Sequence, residues 1–158
     1  PFAIDHLMVR VPESEAAGLV FERLGFTVTP RSTLPGLSNR LVCFPPPDPR
    51  GASFIELISI DDPAAAPEPV IDLLGPDFGP AAIVVATEDA AALGRALSHR
   101  PGVLPARDFA RTWDVGGRRL DLSFSVLIAR RGSAPLSWSA IQHRTPEHYA
   151  HPDLLRHP

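Results

Sequence analysis

The chain has 158 residues, a formal net charge of -3, 44% hydrophobic residues and 21% charged residues. That length suits one domain, or two small modules sharing a core, and the composition excludes a disordered, collagen-like or coiled-coil chain. No apolar run reaches the ~18–20 residues that span a bilayer, no basic excess marks a nucleic-acid binder and no secretory leader is visible, so a cytoplasmic protein without membrane or nucleic-acid partners is expected.

Residues 3–11 (AIDHLMVRV) alternate and predict a strand. Asp5, Leu7, Val9 and Val11 fall on one face; Ile4, His6, Met8 and Arg10 fall on the other. Pro12 to Glu15 opens a helix in which Ala16, Leu19, Val20 and Leu24 keep a helical spacing, and Gly25 ends it. A short strand is expected at Phe26–Pro30, a loop with a Pro35-Gly36 turn at 33–38, a strand at Arg40–Phe44 and a strong strand at 52–60 (ASFIELISI). The order so far is βαβββ.

Residues 61–79 form a Pro/Ala/Asp-rich connector with a short helix at Val70–Leu74. The pattern then restarts. A strand at 81–87 leads into a helix from Glu88 to Arg100, and strands follow at 103–107, 109–115, 118–130 and 136–143, with a Gly116-Gly117 turn. The register sets His6 against Ala82 and implies an internal repeat of about 75–80 residues. The expected architecture is one domain over residues 1–158: module one at 2–60, connector 61–79, module two at 80–143 and a tail at 144–158. Each module has one helix, so the other face of its sheet must be covered or line a cavity.

Several residue types limit the chemistry. All 15 basic residues are arginine, which removes any lysine nucleophile or Schiff base. The one cysteine, Cys43, excludes an internal disulfide and reads as a buried small hydrophobe. Trp113 reads as core or interface, and His99 serves a helix C-terminus. The tail holds His143, His148, His151 and His157 without a metal-ligand spacing and reads as a short solvated helix starting near Thr145-Pro146-Glu147. The chain stops at His157-Pro158, so a further segment is either absent or removed.

Two residues stand out. His6 sits mid-strand on the face away from the helix, where an imidazole could bind a metal or act as a base. Glu56 sits between Phe54 and Ile58 in an otherwise apolar strand, where a carboxylate is costly unless it meets a cation, a metal or good donors. The alternative for both is a wet sheet edge.

The βαβββ duplication, His6 in IDHLMVRV, Gly25-Phe26 after the helix and Glu56 in FIELISI resemble the vicinal-oxygen-chelate superfamily, which includes glyoxalase I, extradiol dioxygenases and bleomycin-resistance proteins. Asn39-Arg40-Leu41 followed by FIELISI is similar to its glyoxalase-like domain branch. The resemblance covers residues 2–143 and implies an α+β fold: two βαβββ modules paired into a U-shaped, half-open mixed sheet with helices outside. It also implies a divalent metal (Fe, Mn, Ni, Co or Zn) in the cleft, held by His6, Glu56 and either Gln142 or His143. Those last two residues point to opposite faces, and the alignment favours Gln142 as the inward one. Module two departs from the pattern, offering Ala82 where a ligand would be expected.

Three readings follow. In the first, a metal-dependent lyase, isomerase or dioxygenase acts on a small oxygen-rich substrate, with Glu56 moving the proton. In the second, a metal-free cleft sequesters a small molecule; an acidic cleft of Glu56, Asp121 and Asp114 would favour a cationic one. In the third, side chains fill the cleft. Asn39, Arg40, Met8 and Trp138 are the expected substrate contacts, Arg40 as a bidentate anion clamp. An open sheet edge invites a homodimer.

Overall fold

A computed structural model describes residues 3–132, 134 and 136–158. Residue 2, the expected start of module one, lies outside them. The first half runs β1 (Ile4–Arg10), α1 (Ser14–Arg23), β2 (Ser32–Leu34), β3 (Leu37–Cys43) and β4 (Phe54–Ile60). A connecting helix, α2 (Glu68–Leu74), leads to β5 (Gly79–Ala86), α3 (Ala90–Ala96), β6 (Arg107–Val115), β7 (Arg118–Ile128) and β8 (Trp138–His143). Both halves are therefore βαβββ, and the fold is the expected α+β arrangement.

All eight strands form one mixed sheet in the order β2-β3-β4-β1-β5-β8-β7-β6. Within each half the first strand lies parallel to the last, β1 to β4 and β5 to β8. The halves join through the antiparallel pair β1–β5. The sheet curls until its two edges meet, where Trp113 Nε1 on β6 donates to Ser32 Oγ on β2 at 3.0 Å. The indole needs that acceptor because Trp113 is only 1% exposed.

Two expected strands moved. Phe26–Pro30 is not a strand; Thr29 alone bonds β3, its N–H to the Leu41 carbonyl and its hydroxyl to the Leu41 N–H. The strand begins at Ser32 instead and turns at Pro35-Gly36, where Gly36 adopts φ 67°, a conformation that glycine takes without strain. Residues 103–107 make only a Val103–Ala129 bridge before β6, because Pro105 has no N–H for a ladder.

Helix α1 lies on the outer face, but not by its apolar stripe. Leu19, Val20 and Leu24 are exposed, and the buried residues are Ser14 and Gly18. Gly18 is packed so tightly against Arg40 that a Cβ there would fall 2.6 Å from the Arg40 side chain. Arg40 donates from Nε to the Thr29 carbonyl at 2.9 Å and pairs with Glu15 and Glu22 of α1. A buried guanidinium fastens the helix where a leucine seam was expected.

The inner face carries two apolar clusters. Met8, Ile58, Leu73, Val84, Phe124 and Ile141 belong to the one that walls the open cleft. Leu41, Phe54, Trp113, Leu122, Tyr149 and Leu154 belong to the other, which closes the opposite end. The tail supplies part of that floor. Its 3-10 turns, Pro146–His148 and Pro152–Leu154, seat Tyr149 and Leu154 inside the sheet, and His157 bonds the Cys43 carbonyl. The tail is thus not a solvated helix: its aromatic and leucine side chains fill an end of the curled sheet that would otherwise be open.

Candidate functional site

Alternation sets the cleft wall. Strand β1 sends His6 and Met8 inward, β3 sends Leu37 and Asn39, and β4 sends Phe54, Glu56 and Ile58. From the second half come Val84, Arg111, Phe124, Ser139 and Ile141. They surround a cavity of about 170 Å³, so side chains do not fill the cleft.

A chain of polar contacts crosses the base of this cavity. Arg111 Nη1 donates to Asn39 Oδ1 at 3.0 Å, and Asn39 Nδ2 donates to Glu56 Oε1. Glu56 Oε2 lies 3.4 Å from His6 Nε2, and His6 Nδ1 lies 2.7 Å from Asp5 Oδ1. His143 Nε2 then lies 3.1 Å from both Asp5 oxygens. Arg111 Nη2 also donates to the Tyr149 hydroxyl at 3.4 Å, and the Tyr149 and His143 rings sit 4.5 Å apart, closing the loop. Phe54 is stacked at its centre, 4.1 Å from the His6 ring and 5.3 Å from that of Tyr149.

Asp5 reaches this ring through a fault in the ladder. Ile4 pairs with Val85 and His6 with Val84, so β1 advances two residues while β5 advances one. Asp5 is the extra residue. Such a bulge re-aims side chains. It brings Asp5 to the side of His6, although regular alternation puts them on opposite faces. The carboxylate is 2% exposed and also accepts from the Ala52 N–H at 3.3 Å.

The charges balance within the ring. Burial raises the Asp5 carboxyl, but hydrogen bonds from His143 and His6 outweigh it and bring the pKa down to about 2. Burial disfavours charge on His6, and its bonds to Asp5 and Glu56 reverse this, so its pKa is raised. Burial likewise raises Glu56; His6, Arg111 and Asn39 overcome it, and its pKa is lowered. Two carboxylates thus face the Arg111 guanidinium and an imidazole whose protonated form they favour, which is how buried charge is tolerated. Burial raises the Tyr149 hydroxyl and pushes Cys43 up to about 12, so neither is an anion near neutrality.

Other expected site residues lie elsewhere. Strand β8 sends Ser139, Ile141 and His143 inward, so His143, not Gln142, joins the cluster. Gln142 points out and accepts from the Ala90 N–H at the start of α3. Trp138 shares the outward side and does not line the cavity. Arg40 points out to α1, because its neighbour Asn39 takes the inward position. Asp121 and Asp114 are exposed on the outer side, with Asp121 bound to Arg119 and Thr112, so they do not make an acidic cleft. Sequence reasoning passed over Asp5, Arg111 and Tyr149. Of these, only Arg111 left a signal: its inward alternation with Phe109 and Trp113.

The donor set decides whether a divalent metal fits. His6 is held as metal-bound imidazoles are, with Nδ1 on a carboxylate and Nε2 toward Glu56. The second half supplies no match. Its strands present Ala82 and Val84 on β5, and Ser139 and Ile141 on β8, where two further ligands would stand. His143 is turned to Asp5, and its Nδ1 has no partner among the described residues. No group of three or more His, Cys, Asp or Glu among these residues is arranged to hold a metal ion. The set offers half of a metal site, which does not fit a resident divalent cation.

Comparison with known proteins agrees with this architecture. A family model described as a glyoxalase-like domain matches residues 4–158. Among solved structures, a methylmalonyl-CoA epimerase in complex with methylmalonyl-CoA and NH4+ is 15% identical at a TM-score of 0.64, covering 90% of this chain and 95% of that one. A methylmalonyl-CoA epimerase from Mycobacterium tuberculosis is 19% identical at 0.54, covering 94% and 91%. A hypothetical protein from Staphylococcus aureus is 13% identical at 0.65, covering 95% and 62%. No curated protein matches the chain in sequence. At these identities the structures speak for the fold alone. The family model covers nearly the whole chain, and with the paired βαβββ halves it establishes that this protein belongs to the glyoxalase-like domain family of the vicinal-oxygen-chelate superfamily.

Proposed function

We propose that the cleft binds a small oxygen-rich carbonyl compound and that Glu56 moves a proton at the carbon beside its carbonyl group. The observation that carries this reading is the buried, ionised Glu56 held between Asn39 and His6, with the Arg111 guanidinium one residue further on. The Glu56 carboxylate takes the proton from carbon, and the C–H electron pair moves onto the carbonyl oxygen. Arg111 and protonated His6 are the groups that can hold the developing oxyanion. The proton then returns to the same or a neighbouring carbon.

The lowered pKa of Glu56 makes it a weak base, and this narrows the substrate. Its C–H bond must be acidified by more than one oxygen function, as in a 2-oxo or 1,3-dicarbonyl compound. One epimerase sharing the fold is solved with an acyl thioester of that general character, methylmalonyl-CoA. A metal-dependent route is set aside because, among the described residues, the second half adds only His143, which is turned to Asp5, and every step here uses the chain's own groups.

The test is exchange of carbon-bound protons with deuterated solvent, followed by NMR over a panel of 2-oxo acids, 1,3-dicarbonyl compounds and malonyl-type thioesters. Exchange is expected with at least one class and should fall by about 100-fold or more in Glu56→Gln. No exchange with any class, or exchange indifferent to Glu56→Gln, overturns the reading. A second reading, retention of a small apolar molecule without chemistry, is favoured by the apolar walls at Met8, Val84, Phe124 and Ile141. It predicts that such a compound binds and is recovered unchanged and unexchanged.

A further inference from the structure

The cleft does not end at the walls of the Glu56 cavity. A second cavity of about 270 Å³ lies beside it under the connector. Pro67, Val70, Phe109, Val126 and Ile128 line both cavities. These five residues are therefore a shared rim, with α2 and the segment before it on one side and β6 and β7 on the other. Beyond the rim the lining adds Pro69, Leu104 and Pro105, and then Arg107 and Asp108 at the exposed end. The Asp108 carboxylate is already engaged by Ser125 and Arg144.

The chemistry of the two cavities differs in a directed way. The inner one has four members of the polar ring at its base: His6, Glu56, Asn39 and Arg111. The walls leading outward to the rim are aliphatic, aromatic or proline, and so is most of the second cavity. A compact polar substrate would leave that second space to water against apolar walls, which is unfavourable. A substrate whose oxygen functions sit at Glu56 and whose remainder is an unbranched hydrocarbon chain covers both.

We infer that the substrate carries a straight apolar chain of several carbons, and that the second cavity, past Val70 and Phe109, receives it. The position of the head rests on the reading above; the chain-binding arm rests on the shared rim and its lining. Chain length is then the specificity that this arm reads. Leu104 and Pro105, which touch only the outer cavity, set how much chain is accepted.

The experiment is calorimetric titration of the whole protein with straight-chain 2-oxo acids of four to ten carbons. It compares the wild type with Leu104→Trp, which fills the outer arm, and Leu104→Ala, which widens it. Melting curves check that both variants fold. In the wild type, affinity is expected to rise about threefold to fourfold per added methylene until the chain reaches the outer mouth. In Leu104→Trp the gain should stop at the shorter acids, whose affinity stays within about twofold of wild type. In Leu104→Ala the gain should extend to longer chains. A flat series in the wild type, or a series that rises equally in Leu104→Trp, overturns the inference. Failure of the catalytic reading looks different: proton exchange would be indifferent to Glu56→Gln while the chain-length series still held.

Discussion

His143 Nε2 lies 3.1 Å from each carboxylate oxygen of Asp5, joining the first strand in chain order to the last. The same carboxylate bonds His6, so one buried anion orients two imidazoles from opposite halves. Since His6 Nδ1–H is committed to Asp5, its Nε2 is left to face Glu56. The orientation of the ring is fixed from behind the site.

Replacing Asp5 by Asn keeps the shape but removes the charge. We expect a loss of about 3–5 kcal/mol, because His6 loses one of its two carboxylate partners and His143 loses its own. The His6 pKa should also fall toward or below its ordinary value. Chemical denaturation gives the first and an NMR titration of His6 the second. An unchanged His6 titration would show that Asp5 does not set its charge.

Stability should depend on pH from both sides. Asp5 and Glu56 have lowered pKa values, so their contribution is present above about 4 and is lost as pH falls toward the folded value of about 2 for Asp5. His6 has a raised pKa, so its contribution is complete below about 6.5 and is lost as pH rises through the folded value. The melting temperature should therefore peak between about pH 5 and 6.5, and the alkaline decline should disappear in His6→Gln. An identical alkaline limb in that variant would place its cause elsewhere.

Gln142 and His143 are adjacent and should behave oppositely. Gln142→Ala removes one acceptor at the start of α3 and should cost about 1 kcal/mol, with proton exchange in the cleft unchanged. His143→Ala strips a buried partner from Asp5 and opens space beside Tyr149, and should cost more than about 2 kcal/mol. Denaturation of the two variants in parallel decides the matter, and a reversed ranking would mean that the register of β8 is shifted by one residue.

Tyr149 should be needed more for its ring than for its hydroxyl. The ring is 2% exposed and packs on Phe54, Trp113 and His143, so Tyr149→Ala should cost about 3–5 kcal/mol. Tyr149→Phe removes only the long bond from Arg111 and should cost about 1 kcal/mol or less. Equal losses in the two variants would make the hydroxyl the important part.

The legibility of this site follows from what a strand pattern can encode. Period-two alternation is a local property, and it placed His6, Met8 and Glu56 on inward faces, while Asn39, just before the expected strand, entered by resemblance. It could not place Asp5, because a bulge is a property of two paired strands and only one was in view. The same alternation left Gln142 and His143 undecided by a single step of register, which the pairing of Ser139 with Val84 settles. Arg40 and Trp138 were assigned to the cleft by resemblance, and both lie on outward faces. Tyr149 was out of reach because nothing between Thr145 and Pro158 repeats; its burial depends on an open end of the sheet that exists only after folding.

The bond between Asp5 and His143 also carries a timetable. Strand β1 is made first, yet the partner that completes its buried carboxylate is made 138 positions later. During vectorial synthesis, His6 and Glu56 can be brought together by the first half alone, with their charges still open to water, while the bulge that places Asp5 waits for β5. The cluster dries only when β8 docks and Tyr149 seats behind it. Contacts of such long sequence separation form slowly, so maturation of the cleft should be the final event of folding, and a half-made chain should hold the parts of the site without its low-dielectric setting.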